Sequence, residues 1–80
     1  MSDLAADMIR AIADAMQRMC GYGIAPAALY VSPLADMILC GALPEAVTYY
    51  NDGRREIKIN GHTVALIVDY TIDCDILLRG

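Results

Sequence analysis

Serine, cysteine, histidine and clustered acids are the residue types in this chain that could do covalent or metal chemistry, and Ser32 is the most suggestive of them. In "YVSPLADMILCG", residues 30–41, it stands between a β-like tripeptide and a helical pattern. Such a serine is either a nucleophile on a strained turn or a helix cap. A nucleophile elbow asks for glycine two residues to either side, because backbone is brought close there. This chain has Tyr30 and Leu34 at those positions. Activation also needs a base, and the single histidine is His62. Serine followed directly by proline is fully explained as an N-cap with proline at the first helical position. Ser32 is expected to cap.

The other candidates weaken in turn. Cys20 and Cys40 each precede a glycine that ends a helical pattern. The C-terminal end of a helix is negative and disfavours a thiolate. Both are therefore expected to be buried small hydrophobes. Cys74 lies between Asp73 and Asp75, whose charges hold a thiol protonated. His62 follows the hairpin dipeptide Asn60-Gly61 and is expected to be exposed and uninvolved, with no partner at metal-ligand spacing. Asp69, Asp73 and Asp75 lack the glycine and terminal glutamate of a calcium loop, so a solvated acidic turn is favoured, with magnesium left open. No cofactor and no metal site are expected.

The best site is "YYNDGRRE" with Lys58 close behind. Tyrosine and arginine are enriched where interfaces concentrate their binding energy. The same set could hold an anion, with arginine forks on phosphate and a tyrosine face under a base. Tyr49, Tyr50, Arg54, Arg55 and Lys58 are the expected partner or ligand contacts, weighed equally against a plain solvated hairpin.

Elements must position these residues. "SDLAADMIRAIADAMQRMCG" sets Asp3, Asp7, Arg10, Asp14 and Gln17 on one stripe and Leu4, Met8, Ile12, Met16 and Met19 on the other. That is an amphipathic helix, capped by Ser2 and closed by Arg18 and Gly21. Leu29, Tyr30 and Val31 form a short buried strand, and a helix of about two turns follows, its apolar face made by Leu34, Met37, Ile38 and Leu39. "LPEAVTYY", residues 43–50, is open between helix and strand. "EIKINGHTVALIVDY" alternates around Asn60-Gly61, a type I′ hairpin signal. Its arm from Thr63 to Asp69 is too apolar for a solvated edge and belongs in the middle of a sheet. "ILLRG" closes the chain as a strand. The fold class is α+β: one domain, residues 1–80, with two helices packed on a small mixed sheet of about four strands.

Composition bounds the function. The chain has 80 residues, of which 58% are hydrophobic and 20% charged, against about 25% charged in an average domain. A body this small buries only about 60–65% of its unfolded surface. The surplus apolar surface predicts association, a homo-oligomer or a subunit of something larger. A net charge of −4 disfavours general nucleic-acid binding. Three cysteines without C-x-x-C spacing fit a reducing cytoplasm. Asp3 and Asp7 stand where a signal peptide carries cations, and no apolar run is long enough to span a bilayer.

"GIAPAALYVSPLADMIL", a variable loop and "EIKINGHTVALIVDYTIDCDILLRG" together resemble the axial-domain segment of tailed-phage major capsid proteins. The matching residues are Pro26, Leu29, Val31, Ser32 and Pro33, then Ile59, Gly61, Val64, Asp69, Leu77 and Gly80. The chain has no room for the peripheral domain, long helix and arms of a full capsid subunit. The resemblance implies a phage- or prophage-encoded miniature that kept an assembly domain, working in the host cytoplasm or the virion. It also implies that Gly41–Arg55 touches neighbouring subunits. The expected protein is a non-enzymatic, oligomerising binding or assembly subunit, with a phage structural protein or a host protein as partner. The alternative is a binder of an anionic or nucleotide ligand at a subunit interface.

Overall fold

The computed structural model describes residues 3–80, so the expected cap Ser2 lies outside the described residues. Helix α1 spans Asp3–Gly21. Met8, Ile12 and Met16, four residues apart, fall on one stripe and are buried. Leu4 continues that stripe by a turn but stands 58% exposed, off the core. The helix closes by a Schellman motif rather than on Gly21. Ile24 N–H donates to the Met19 carbonyl at 2.9 Å and Gly23 N–H to that of Cys20 at 3.0 Å. Gly23, at φ 78°, takes the left-handed position that this motif needs.

Strand β1 is Ala28–Val31 and helix α2 is Pro33–Ala42. Ser32 between them has extended backbone, and its Oγ accepts from Ala35 N–H at 3.1 Å. The expected cap is there, with Pro33 opening the helix. The buried face of α2 differs from the expected one. Ala35 and Leu39 are buried and Ile38 half-buried, while Leu34 and Met37 point outward at 58% and 71% exposure. Apolar residues occur all round this helix, so composition could not choose its inner side, and contact with the sheet did.

The open stretch resolves into both alternatives. Pro44–Ala46 is a single 3₁₀ turn, and Val47–Tyr49 is a short strand, β2. A turn through Asn51, Asp52 and Gly53 leads to β3, Arg55–Ile59. Asn60 and Gly61, at φ 54° and 81°, make the expected I′ turn into β4, His62–Val68. Strand β5 is Ile76–Arg79. The fold is α+β, two helices on one mixed sheet, with β2 as a fifth strand beyond the four or so expected.

Strand order is β2-β3-β4-β1-β5, and β4 is central as its composition demanded. Strand β1 runs parallel to β4, and the other neighbours are antiparallel. Alternation sends Leu29, Val31, Ile57, Ile59, Val64 and Leu66 to one face, where they join Met8, Ile12, Met16, Ala35 and Leu39 in a single core. Ile76 and Leu78 of β5 pack at its margin. Both helices lie on that face. Among the described residues, no helix or strand lies across the opposite face. None of the described helices is long and apolar enough to cross a membrane.

Candidate functional site

The five residues proposed from sequence do not converge. The register pairs Tyr49 with Arg55 and Thr48 with Glu56 across β2 and β3. Residues one apart in a strand face opposite ways. Tyr49 and Arg55 therefore lie on the helix side, and Glu56 and Lys58 on the open side. Tyr50 and Arg54 sit at the strand ends between them.

Arg55 is bound into the fold. Its guanidinium meets Asp36 of α2 at 2.9 Å, with both side chains about one-fifth exposed. The same nitrogen donates to Cys40 Sγ at 3.6 Å, and that thiol donates to Asp36 at 3.6 Å. Burial and the Asp36 charge push the Cys40 thiol above its ordinary pKa, against the opposing pull of Arg55. The triad ties α2 to β3 through one guanidinium nitrogen of Arg55.

Arg54 is also answered. Its Nε donates to Asp52 at 2.7 Å, and its guanidinium lies over the Tyr50 ring, 5.1 Å from the centroid. The Tyr50 hydroxyl donates to Glu56 Oε1 at 2.7 Å, and that bond raises the phenol's pKa. Lys58 is exposed on the open face, and Tyr49 is exposed at 66%.

The acidic turn is organised locally. Asp69 accepts from both the hydroxyl and the N–H of Thr71, at 2.6 and 2.8 Å, which holds its carboxyl below the usual range. Asp75 accepts from Ser32 Oγ at 3.2 Å, so the serine is engaged on both sides. No group of three or more His, Cys, Asp or Glu side chains among the described residues could hold a metal ion.

Cys20 and His62 differ from expectation. Cys20 is exposed rather than buried: it continues the Met8, Ile12 and Met16 stripe by one turn, but it lies in the last turn of α1 and outside the core. His62 is half-buried, and its Nε2 stands 3.7 Å from Cys20 Sγ. Forty-two positions separate them in sequence, and the turn of the β3–β4 hairpin brings them together. Neither lines the hollow beside Gly53 and Arg54 or the groove between α1 and β5.

What the sequence did not reveal is the open face itself. Thr48, Glu56, Lys58, Thr63, Ala65, Ile67, Ala28, Tyr30, Leu77 and Arg79 alternate with the core residues of the five strands. Its centre is apolar, with Ile67 at 38% exposure and Ala28, Ala65, Tyr30 and Leu77 half-buried. Arg79 lies over the Tyr30 ring, 5.8 Å from the centroid. A hollow of about 400 Å³ opens where Gly53 and Arg54 approach Glu56, Ala65 and Ile67. A second, of about 570 Å³, runs between α1 and β5, past Ala11, Ala15, Ile24 and Ile76. The open face arranges charged and apolar groups together across the strands of the sheet.

No protein-family model, curated protein or solved structure matches this chain.

Proposed function

We propose that this chain is a non-enzymatic assembly subunit that binds copies of itself through the open face of its sheet. One observation carries the reading: a two-layer fold leaves an entire sheet face bare, with apolar side chains at its centre and charges around them. A sheet is stabilised by covering such a face, and contiguous apolar surface on a small body favours association. The sequence resemblance to a capsid axial domain agrees with this role, as a phage- or prophage-encoded miniature acting in the host cytoplasm or in a virion. Three cysteines unpaired with one another fit a reducing compartment.

Several features support a binding role over catalysis. Ser32 is committed to the helix cap and to Asp75. Arg54 and Arg55 each face a carboxylate. Glu56 lines the hollow beside Arg54 and opposes an anionic ligand there.

Size-exclusion chromatography with light scattering tests the proposal. The expected result is a mass above 8.7 kDa that rises with concentration, and a variant Ile67→Glu that elutes at monomer mass with unchanged circular dichroism. A wild-type chain of monomer mass at every concentration overturns it.

A further inference from the structure

The open face carries a charge pattern that is complementary to itself. The registers place Glu56 of β3 opposite Ala65 of β4, Ala65 opposite Ala28 of β1, and Ala28 opposite Arg79 of β5. One row across four strands thus reads acid, small, small, base. The next row along the strands reads Ile67, Tyr30, Leu77, and Arg54 stands at its β3 end, two residues before Glu56.

We propose that two copies pack these faces together about a two-fold axis that runs along the strands. The proposal rests on the self-association argued above and specifies its geometry. Rotation about such an axis reverses the row from left to right and leaves positions along the strands unchanged. Glu56 then lies over the partner's Arg79, and Arg79 over the partner's Glu56. Ala65 meets the partner's Ala28 at the centre, while Ile67 meets the partner's Tyr30. An axis across the strands does the reverse, setting acid on acid and base on base, which is repulsive. An isologous contact requires a self-complementary surface, and the acid-small-small-base row is one.

The charges are held ready for this arrangement. Tyr50 holds one oxygen of Glu56, and Arg79 lies over the Tyr30 ring. Packed sheets stand about 10 Å apart, a gap that a glutamate and an arginine reach across from opposite sides. The paired alanines leave room between them for Tyr30 and Ile67 to interdigitate. The assembly is a ten-stranded sandwich with all four helices outside.

Charge reversal on the full chain tests it, read by sedimentation equilibrium with circular dichroism as the folding control. Glu56→Arg and Arg79→Glu are each expected to raise the dimer dissociation constant about tenfold or more, and the double variant to restore it, as coupled charge pairs do. If either reversal fails to fold, Glu56→Gln and Arg79→Gln replace them, each expected to weaken the dimer. Weakening without restoration in the double variant overturns the docking geometry, and so does a dimer indifferent to every charge change. Either leaves self-association standing. A wild-type chain that remains at 8.7 kDa overturns self-association itself, whatever the variants do, and leaves a foreign protein as the occupant of the face.

Discussion

The two faces of the sheet are built from the same strands one residue out of step, and they solve different problems. On the covered face Leu29, Val31 and Ile57 have no exposed surface, and the helices supply Ile12, Met16 and Leu39 against them. On the open face the neighbours of those residues are alanines, a tyrosine and charges. Among the described residues, the covered face contains no buried polar side chain. The open face fixes its polar groups through one another, Tyr50 to Glu56 and Tyr30 to Arg79. The difference separates two requirements. Close-packed aliphatics hold one subunit together. A surface with placed charges and small gaps can select what lies on it.

Damage to the covered face is expected to have the largest effect. Leu39→Ala is expected to cost about 2–5 kcal/mol, because a fully buried leucine leaves a cavity that the small body closes only in part. Denaturant unfolding measures it. A loss well under 1 kcal/mol on that scale would show a core that adapts, and the two faces would no longer differ in kind.

The margin of the covered face is the next test. Arg55→Ala strands Asp36, one-fifth exposed, beside a thiol that is itself its hydrogen-bond donor. A loss of about 1.5–3 kcal/mol is expected, the range for a hydrogen bond to a charged group. Arg54→Ala removes an exposed pair with Asp52 and is expected to cost less than about 1 kcal/mol. The adjacent arginines are alike in sequence and opposite in role. Equal losses in the two variants would remove the distinction.

Cys40 sharpens the same margin by pH. Burial first, then Asp36, raises its pKa, so the folded state holds the proton more firmly than the unfolded chain does. The stabilisation is whole below the unfolded thiol's pKa and is lost as pH rises through the folded value. Alkylation of Cys40 in the native protein is expected to have its midpoint on the alkaline side of a free cysteine's. Asp36→Asn moves that midpoint down. Mass-spectrometric rates against pH read both shifts, and a midpoint at or below that of free cysteine contradicts them.

Much of the fold was legible because local chemistry determined it. Ser32-Pro33 could only open a helix once the glycines of a nucleophile elbow were missing, and Asn60-Gly61 set a two-residue turn. The apolar arm of β4 announced a central strand. The site was much less legible. Tyr49, Tyr50, Arg54, Arg55 and Lys58 form a cluster in sequence, but strand alternation splits them between faces, and periodicity could not be applied while residues 43–50 were open between helix and strand. Glu56 and Arg79 are 23 residues apart and share a row only because β4 and β1 lie between them. Which strands flank β4 is a tertiary property, and no local pattern in the chain encodes it. The meeting of Cys20 with His62, 42 positions apart, is tertiary in the same way.

The smallest effect on a single subunit is expected at the centre of the open face, where it is also most telling. Ile67→Thr keeps β-branching and strand propensity and removes little packing from a side chain already 38% exposed. Monomer stability should change by less than about 0.5 kcal/mol, as at surface positions away from special features. The concentration dependence of the melting temperature should respond instead. Association with the native state stabilises it by mass action, so the wild-type midpoint climbs with protein concentration. In the variant the climb is expected to flatten, because the threonine hydroxyl lies in the apolar centre of the contact. Calorimetric scans over a hundredfold or so in concentration separate the two proteins. A wild-type midpoint independent of concentration would reduce the open face to ordinary surface, and a Leu39→Ala variant that keeps the wild-type slope at a lower midpoint would show that folding and association reside on opposite sides of one sheet.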